Sequence, residues 1–282
     1  MSSRILWKHI ALLIVMLAVL SSALVVRNAA AQQRGQGQAP PAEQAPRTPQ
    51  ASAPIDLTGW WVSIVTEDWR FRMVTPPKGD YASVPLNPEG RRVADTWDLA
   101  KDDASGNQCK PFGAASIMRV PGRLHITWQD PNTVKIETDA GTQTRLLHFG
   151  EGQPPGGEPT WQGYSAATWE GRPQRGGPGG AGRGGANLGP AAAPQGGSLK
   201  VVTTRMRPGY LRKNGVPYSE NALMTEYFDR HSDYGSEWFT VTTIVNDPKY
   251  LTDEFITSTH FRKEPDGSKF SPGPCQTDRP VK

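Results

Sequence analysis

The chain has 282 residues, with 31 Lys and Arg against 27 Asp and Glu, two Cys and nine Trp. Arg4, Lys8 and Arg27 fall in a leading segment that reads as cleavable; without it 28 basic side chains face 27 acidic ones and the net charge is near +1. That balance argues against nucleic acid as a partner, because the densest basic stretch, 205–213, reads as a solvated loop rather than a binding patch.

The leading segment predicts export. A short positive region at Arg4 and Lys8 precedes an apolar run over 10–26, and small residues at Ala29 and Ala31 fit the Ala-x-Ala rule of a signal-peptidase site, with the cut after Ala31. Residues 1–31 are therefore read as a signal peptide. The run is shorter than a comfortable bilayer span, so no membrane span is expected after cleavage. No Cys follows it and no paired arginines precede it, which argues against a lipid anchor and for export as an unfolded chain. Residues 32–54 are a Gln/Pro/Ala tract with almost no large apolar side chain, read as a disordered tether.

One folded domain is expected over 55–276, with a short tail at 277–282. Period-two alternation, or richness in Thr, Val, Ile and aromatics, marks strands over 60–66, 115–119, 124–129, 134–138, 142–149 and 165–170. Later strands are expected over 199–206, 223–231, 237–245 and 256–263. One helix is predicted over 88–99, with Asn87 as N-cap and Pro88 at its first position. Between the two strand sets, residues 171–197 hold eleven of the thirty glycines and read as a disordered insert at a hairpin tip. Tight-turn chemistry at Pro121-Gly122, Asp130-Pro131-Asn132 and Asp139-Ala140-Gly141 joins neighbouring strands. The fold class is all-β: an antiparallel up-and-down meander of about ten strands, closed into a barrel or strongly curved.

Two resemblances bear on this reading. Gly59-Trp60-Trp61 in the first strand resembles the Gly-x-Trp of lipocalins and the wider calycins. That likeness implies that Trp61 plugs one end of a barrel and that a late basic residue, Arg262, packs over it. The order Cys109-Lys-Pro111-Phe-Gly113, Trp161-Gln-Gly163-Tyr-Ser165, Trp169-Glu170-Gly171, Leu199-Lys-Val201-Val-Thr203 and Asp247-Pro248-Lys-Tyr250 resembles a family of secreted bacterial proteins of unknown function. In those proteins the next strand follows Trp-Glu-Gly almost at once, whereas here the Gly-rich insert intervenes. The likeness implies secretion and a β-rich fold, and supplies no catalytic residues.

Cys109 and Cys275 are the whole cysteine complement, and in an oxidising compartment a single pair forms one disulfide. Neither has a second Cys or a His at zinc-site spacing, and His125, His148, His231 and His260 form no ligand motif, so no metal is expected. Nucleophile-elbow, phosphate-loop and haem-attachment motifs are missing, and no cofactor is expected. The tryptophans either fill a barrel core or line a cavity for a flat ligand. Alternation places Trp238 with Thr240, Thr242 and Ile244, and His260 with Ile256, Ser258 and Arg262. Arg145 among Leu147 and Phe149, and Glu226 between Met224 and Phe228, are charges on apolar faces; if both point inward they must pair.

The residues that would hold a small apolar or aromatic ligand are Trp128, Arg145, Glu226, Trp238 and His260. The leading reading is a periplasmic or secreted, non-catalytic carrier. Its rivals are an enzyme using Glu226 or His260 as acid or base, with Arg145 holding an anion, and an envelope interaction module whose aromatics are only core.

Overall fold

The computed structural model describes residues 47–150, 152, 154, 156–171 and 197–277. The signal segment, most of the tether, the body of the Gly-rich insert and the end of the tail lie outside these residues. Among the described residues no helix is long and apolar enough to cross a membrane.

Nine strands close into a barrel. They are β1 (Gly59–Ile64), β2 (Arg123–Asp130), β3 (Thr133–Thr138), β4 (Thr144–Phe149), β5 (Tyr164–Gly171), β6 (Gly197–Thr204), β9 (Leu223–Asp233), β10 (Ser236–Asn246) and β11 (Phe255–Glu264). Two short strands, β7 (Gly209–Arg212) and β8 (Val216–Tyr218), form a separate hairpin. Around the barrel the order is β1-β11-β10-β9-β6-β5-β4-β3-β2. The expected pure meander is corrected at one seam: β4 and β5 pair in parallel, Leu147 opposite Ser165. An odd number of strands in a closed ring cannot alternate direction throughout, so one parallel pair is unavoidable. The connection 150–163 supplies the long return that parallel neighbours need.

Period two decides what fills the barrel. Trp61, Ile126, Ile136, Leu147, Val201, Phe228, Phe239 and Phe261 point inward and are at most 1% exposed. Each such aliphatic or aromatic side chain contributes roughly 1.5–3 kcal/mol on burial. Phe239 stands edge-on to Trp61 at 4.7 Å and stacks on Phe261 at 4.7 Å. The outer wall carries Lys135, Glu137, Lys200, Asp229 and Arg262, a water-facing pattern and not the apolar band of a lipid-facing barrel.

One end of the barrel is closed by the N-terminal segment. Residues 47–54, read from composition as tether, are packed here: the Trp169 indole donates to the Pro49 carbonyl at 2.9 Å, and Gln50 N donates to the Pro131 carbonyl at 3.2 Å. A half-buried indole N–H needs an acceptor, and this segment provides it. Leu57 then enters the core, and its carbonyl accepts from the Trp61 indole at 2.9 Å.

The other end is covered by a cap built from 65–122 and 205–222. It contains α1 (Trp69–Arg72), α2 (Pro88–Asp95), α3 (Leu99–Ala104), α4 (Ala114–Ile117) and the β7–β8 hairpin. The expected helix is present as α2, with the Asn87 side chain accepting from Gly90 N at 2.8 Å. The strand expected over 115–119 is instead α4: its Ala-Ala pair favours helix, and Ser116 Oγ donates back to the Pro111 carbonyl at 2.8 Å. Ile117 and Met118 plug the barrel, while Val216, Tyr218 and Leu211 build a second core with Met224, Val245 and Phe255 from the strand ends.

The C-terminal tail runs along the outer wall. Gly267 passes under Trp60 so closely that a Cβ would lie 2.6 Å from the ring. Further on, Gly273 N donates to the Asp139 carbonyl at 2.8 Å, and Cys275 is disulfide-bonded to Cys109 in the cap with Cα atoms 5.1 Å apart.

Candidate functional site

The sequence-predicted site residues separate into three places. Arg145 on β4 and Glu226 on β9 meet across the barrel interior, Nη2 to Oε2 at 2.6 Å and Nη1 to Oε1 at 3.2 Å. Both side chains are fully buried. Thr203 Oγ1 accepts from Arg145 Nη2 at 3.4 Å and shares a 2.8 Å hydrogen bond with Ser165 Oγ. The two-pronged geometry offsets the loss of hydration for both ions. Neither residue lines any of the four cavities described below, so the pair braces a packed core.

Trp238 and His260 lie on the opposite side of the wall from that pair. Phe239 and Phe261 face inward, so their neighbours in a period-two strand face out. His260 Nδ1 is 2.9 Å from Thr240 Oγ1, and the Trp238 indole donates to the Asp233 carbonyl at 3.2 Å. Glu226 and His260 are thus divided by the barrel wall and do not act on one substrate. Arg262 also faces out, 6.0 Å from the Trp238 ring; the cation over Trp61 is its neighbour Lys263, at 5.4 Å. Trp128 sits at the N-terminally closed end in an aromatic group with Phe149 and Trp169. It borders an outer groove of about 760 Å³ whose lining includes Arg230, His231 and Glu237.

A pocket that the sequence reading did not single out lies in the cap, between α2–α3 and the β7–β8 hairpin. Its volume is about 390 Å³, within the range of small-ligand sites. Trp97, Tyr250, Pro208 and Pro217 form apolar walls. Asp98 caps α3 by accepting from Ala100 N at 3.1 Å, and the following turn carries Asp102 to the pocket. There Lys110 Nζ donates to Asp102 Oδ1 at 2.6 Å, and the Tyr210 hydroxyl donates to Oδ2 at 2.7 Å. Lys110 Nζ also lies 3.3 Å from the Tyr210 oxygen.

Burial, and then the hydrogen bond to Asp102, push the Tyr210 phenol well above its ordinary range. It therefore keeps its proton and serves as a donor, not a base. Tyr218 is pushed up by burial alone, and its hydroxyl has no hydrogen-bond partner among the described residues. The hairpin fits onto the pocket wall through Gly215, whose φ is +81° and where a Cβ would lie 2.2 Å from Trp97 Cγ. Alternation carries no trace of this pocket, because Asp102 and Lys110, on a helix and a 3-10 turn eight residues apart, meet Tyr210 of a hairpin 100 residues after Lys110. The nearest sequence signal was Lys110 inside Cys109-Lys-Pro111-Phe-Gly113.

Among the described residues no three His, Cys, Asp or Glu side chains gather in a metal-binding arrangement. Comparison with protein-family models, curated proteins and solved structures gave no match.

Proposed function

We propose that this protein is an exported, non-catalytic binding protein whose small aromatic ligand, bearing a polar group, seats in the cap pocket rather than inside the barrel. The observation that carries the reading is the convergence of Asp102, Lys110 and Tyr210 at one point of an aromatic-walled pocket. Tyr250, Pro208 and Pro217 line it with apolar surface, backed by the buried Trp97. Lys110 has three N–H bonds, of which Asp102 and Tyr210 take two, leaving one for a ligand oxygen. The protonated state of Tyr210 favours recognition over proton abstraction. Export rests on the residues from Arg4 to Ala31, and the Cys109–Cys275 bond accords with an oxidising compartment.

The test is a titration of the mature chain with p-cresol, indole and benzoate, read by tryptophan fluorescence. At least one probe is expected to bind saturably, and Lys110→Met to weaken it about ten- to a hundredfold, the size of a lost charge-assisted hydrogen bond. Binding unchanged by Lys110→Met and by Tyr210→Phe contradicts the reading. No saturable binding by any probe favours the interaction module instead.

A further inference from the structure

The groove bordered by Trp128 lies where two strands outrun the barrel. β9 pairs with β6 only as far as Asp229, opposite Ser198, and β10 begins to pair with β11 at Trp238, opposite Arg262. Among the described residues, the ladder positions between them pair only with one another, so 230–237 form an arm past the rim. Period two carries the inward face along this arm. Phe228, Phe239 and Val241 fill the barrel, and the next inward positions are Arg230 and Ser232 on β9 and Glu237 on β10. The face turns from apolar to polar where it leaves the core.

These polar groups are held in place yet open to solvent. Glu237 accepts from both Arg230 and Ser232. The Arg230 and Glu237 side chains still expose 27% and 35% of their surface, so a ligand can reach them. Chiefly through the Ser232 hydrogen bond, with Arg230 adding to it, the Glu237 carboxyl is held below its ordinary range and is an ionised acceptor. The segment before β1 lines the same groove with Gln50 and Asp56. Asp56 Oδ1 accepts from Thr58 N at 2.9 Å and from Thr58 Oγ1 at 2.7 Å, which fixes the carboxylate; among the described residues no hydrogen bond reaches Oδ2. Trp128, braced by Phe149 and Trp169 at 5.7 and 6.5 Å, adds a half-buried indole.

The groove holds about 760 Å³, within the range of small-ligand clefts. Two carboxylates against one guanidinium disfavour an anion, and the guanidinium in turn disfavours a cation. The polar lining disfavours the flat apolar ring that suits the cap pocket. A sugar hydroxyl both donates and accepts, so it satisfies carboxylate, guanidinium and amide alike, while the C–H face of a sugar ring packs on an indole. We propose that this groove binds a neutral saccharide, its ring against Trp128 and its hydroxyls shared among Asp56, Glu237, Arg230 and Gln50. The site lies at the end of the barrel away from the cap and does not depend on the aromatic pocket.

Isothermal titration of the mature chain with glucose, N-acetylglucosamine and cellobiose tests this, with sorbitol, which has hydroxyls but no ring, as the baseline. Saturable binding of at least one sugar is expected at millimolar concentration or below. Asp56→Asn with Glu237→Gln keeps both shapes, removes both charges and is expected to weaken binding at least tenfold. If the doubled variant does not fold by circular dichroism, Asp56→Asn alone is judged by the same criterion. Absence of saturable binding beyond the sorbitol baseline overturns the proposal, as does equal binding by a folded variant.

Discussion

At the scale of single residues, the Arg145–Glu226 pair is the most exacting arrangement in the barrel. Removing one partner leaves the other charge buried and uncompensated. Glu226→Leu is expected to lower stability by about 3–5 kcal/mol, and Arg145→Met with Glu226→Leu to recover most of that loss. Urea denaturation of the two single variants and the double variant measures it; coupling under about 0.5 kcal/mol contradicts a buried pair. The pair itself was legible in the sequence, because charges interrupting apolar alternation stand out in a strand. Its role was not, since alternation reports a face and not whether the space behind it is filled. A second residue-scale expectation concerns tyrosines. Burial and a hydrogen bond to Asp95 raise Tyr81 to about 12, and Tyr210 and Tyr218 are raised as well. A raised folded-state pKa means that the unfolded chain loses its phenol protons first. The stability these groups contribute is present below about pH 10 and is lost as pH rises through the folded values. Absorbance at 295 nm during alkaline titration is expected to show three of the seven tyrosines ionising late. All seven ionising together near pH 10 in the folded protein contradicts it.

At the scale of elements, strands whose faces differ strongly in polarity were readable and others were not. β10 alternates Phe239, Val241, Thr243 and Val245 against Trp238, Thr240, Thr242 and Ile244, and both faces contain apolar side chains. Composition therefore could not decide which side was inner, and Trp238 and His260, grouped in the sequence reading with Arg145 and Glu226, face outward while that pair faces inward. The same ambiguity of one residue exchanged Arg262 for Lys263 over Trp61. α2 was readable because Asn87 and Pro88 specify a helix start by local chemistry alone. The β7–β8 hairpin was not, being short and interrupted by Pro217. The β5–β6 hairpin supplies a test at this scale. Gly171 and Gly197 pair directly across the ladder, so the strands are in register up to the insert. Replacing 172–196 with Asn-Gly is expected to leave the melting temperature within about 5 °C, since loop-closure entropy changes slowly with length. A collapse of folded yield contradicts this.

At the scale of the whole molecule, the barrel is sealed at one end by the N-terminal segment and at the other by the cap, with the tail strapped along its side. Closure of the sheet on itself, with β1 paired to both β2 and β11, removes its exposed edges, and the sealed ends leave the interior to packing. The proposed aromatic-binding chemistry accordingly falls to the cap, where loops bring residues from separate elements together. The Cys109–Cys275 bond joins tail to cap across a sequence separation of 166. A closure of that length contributes roughly 5 kcal/mol in the chain-entropy model, so Cys275→Ser is expected to lower the melting temperature markedly. A melting temperature insensitive to both reductant and that substitution contradicts the tie.

The proposed placement of ligand binding in the cap is tested most directly by native mass spectrometry of the protein purified from its native source. The account predicts a discrete small-molecule adduct on the wild type, lost in Lys110→Met with Tyr210→Phe, and retained in Arg145→Met with Glu226→Leu. An adduct that survives the cap substitutions and disappears with the barrel pair would contradict it.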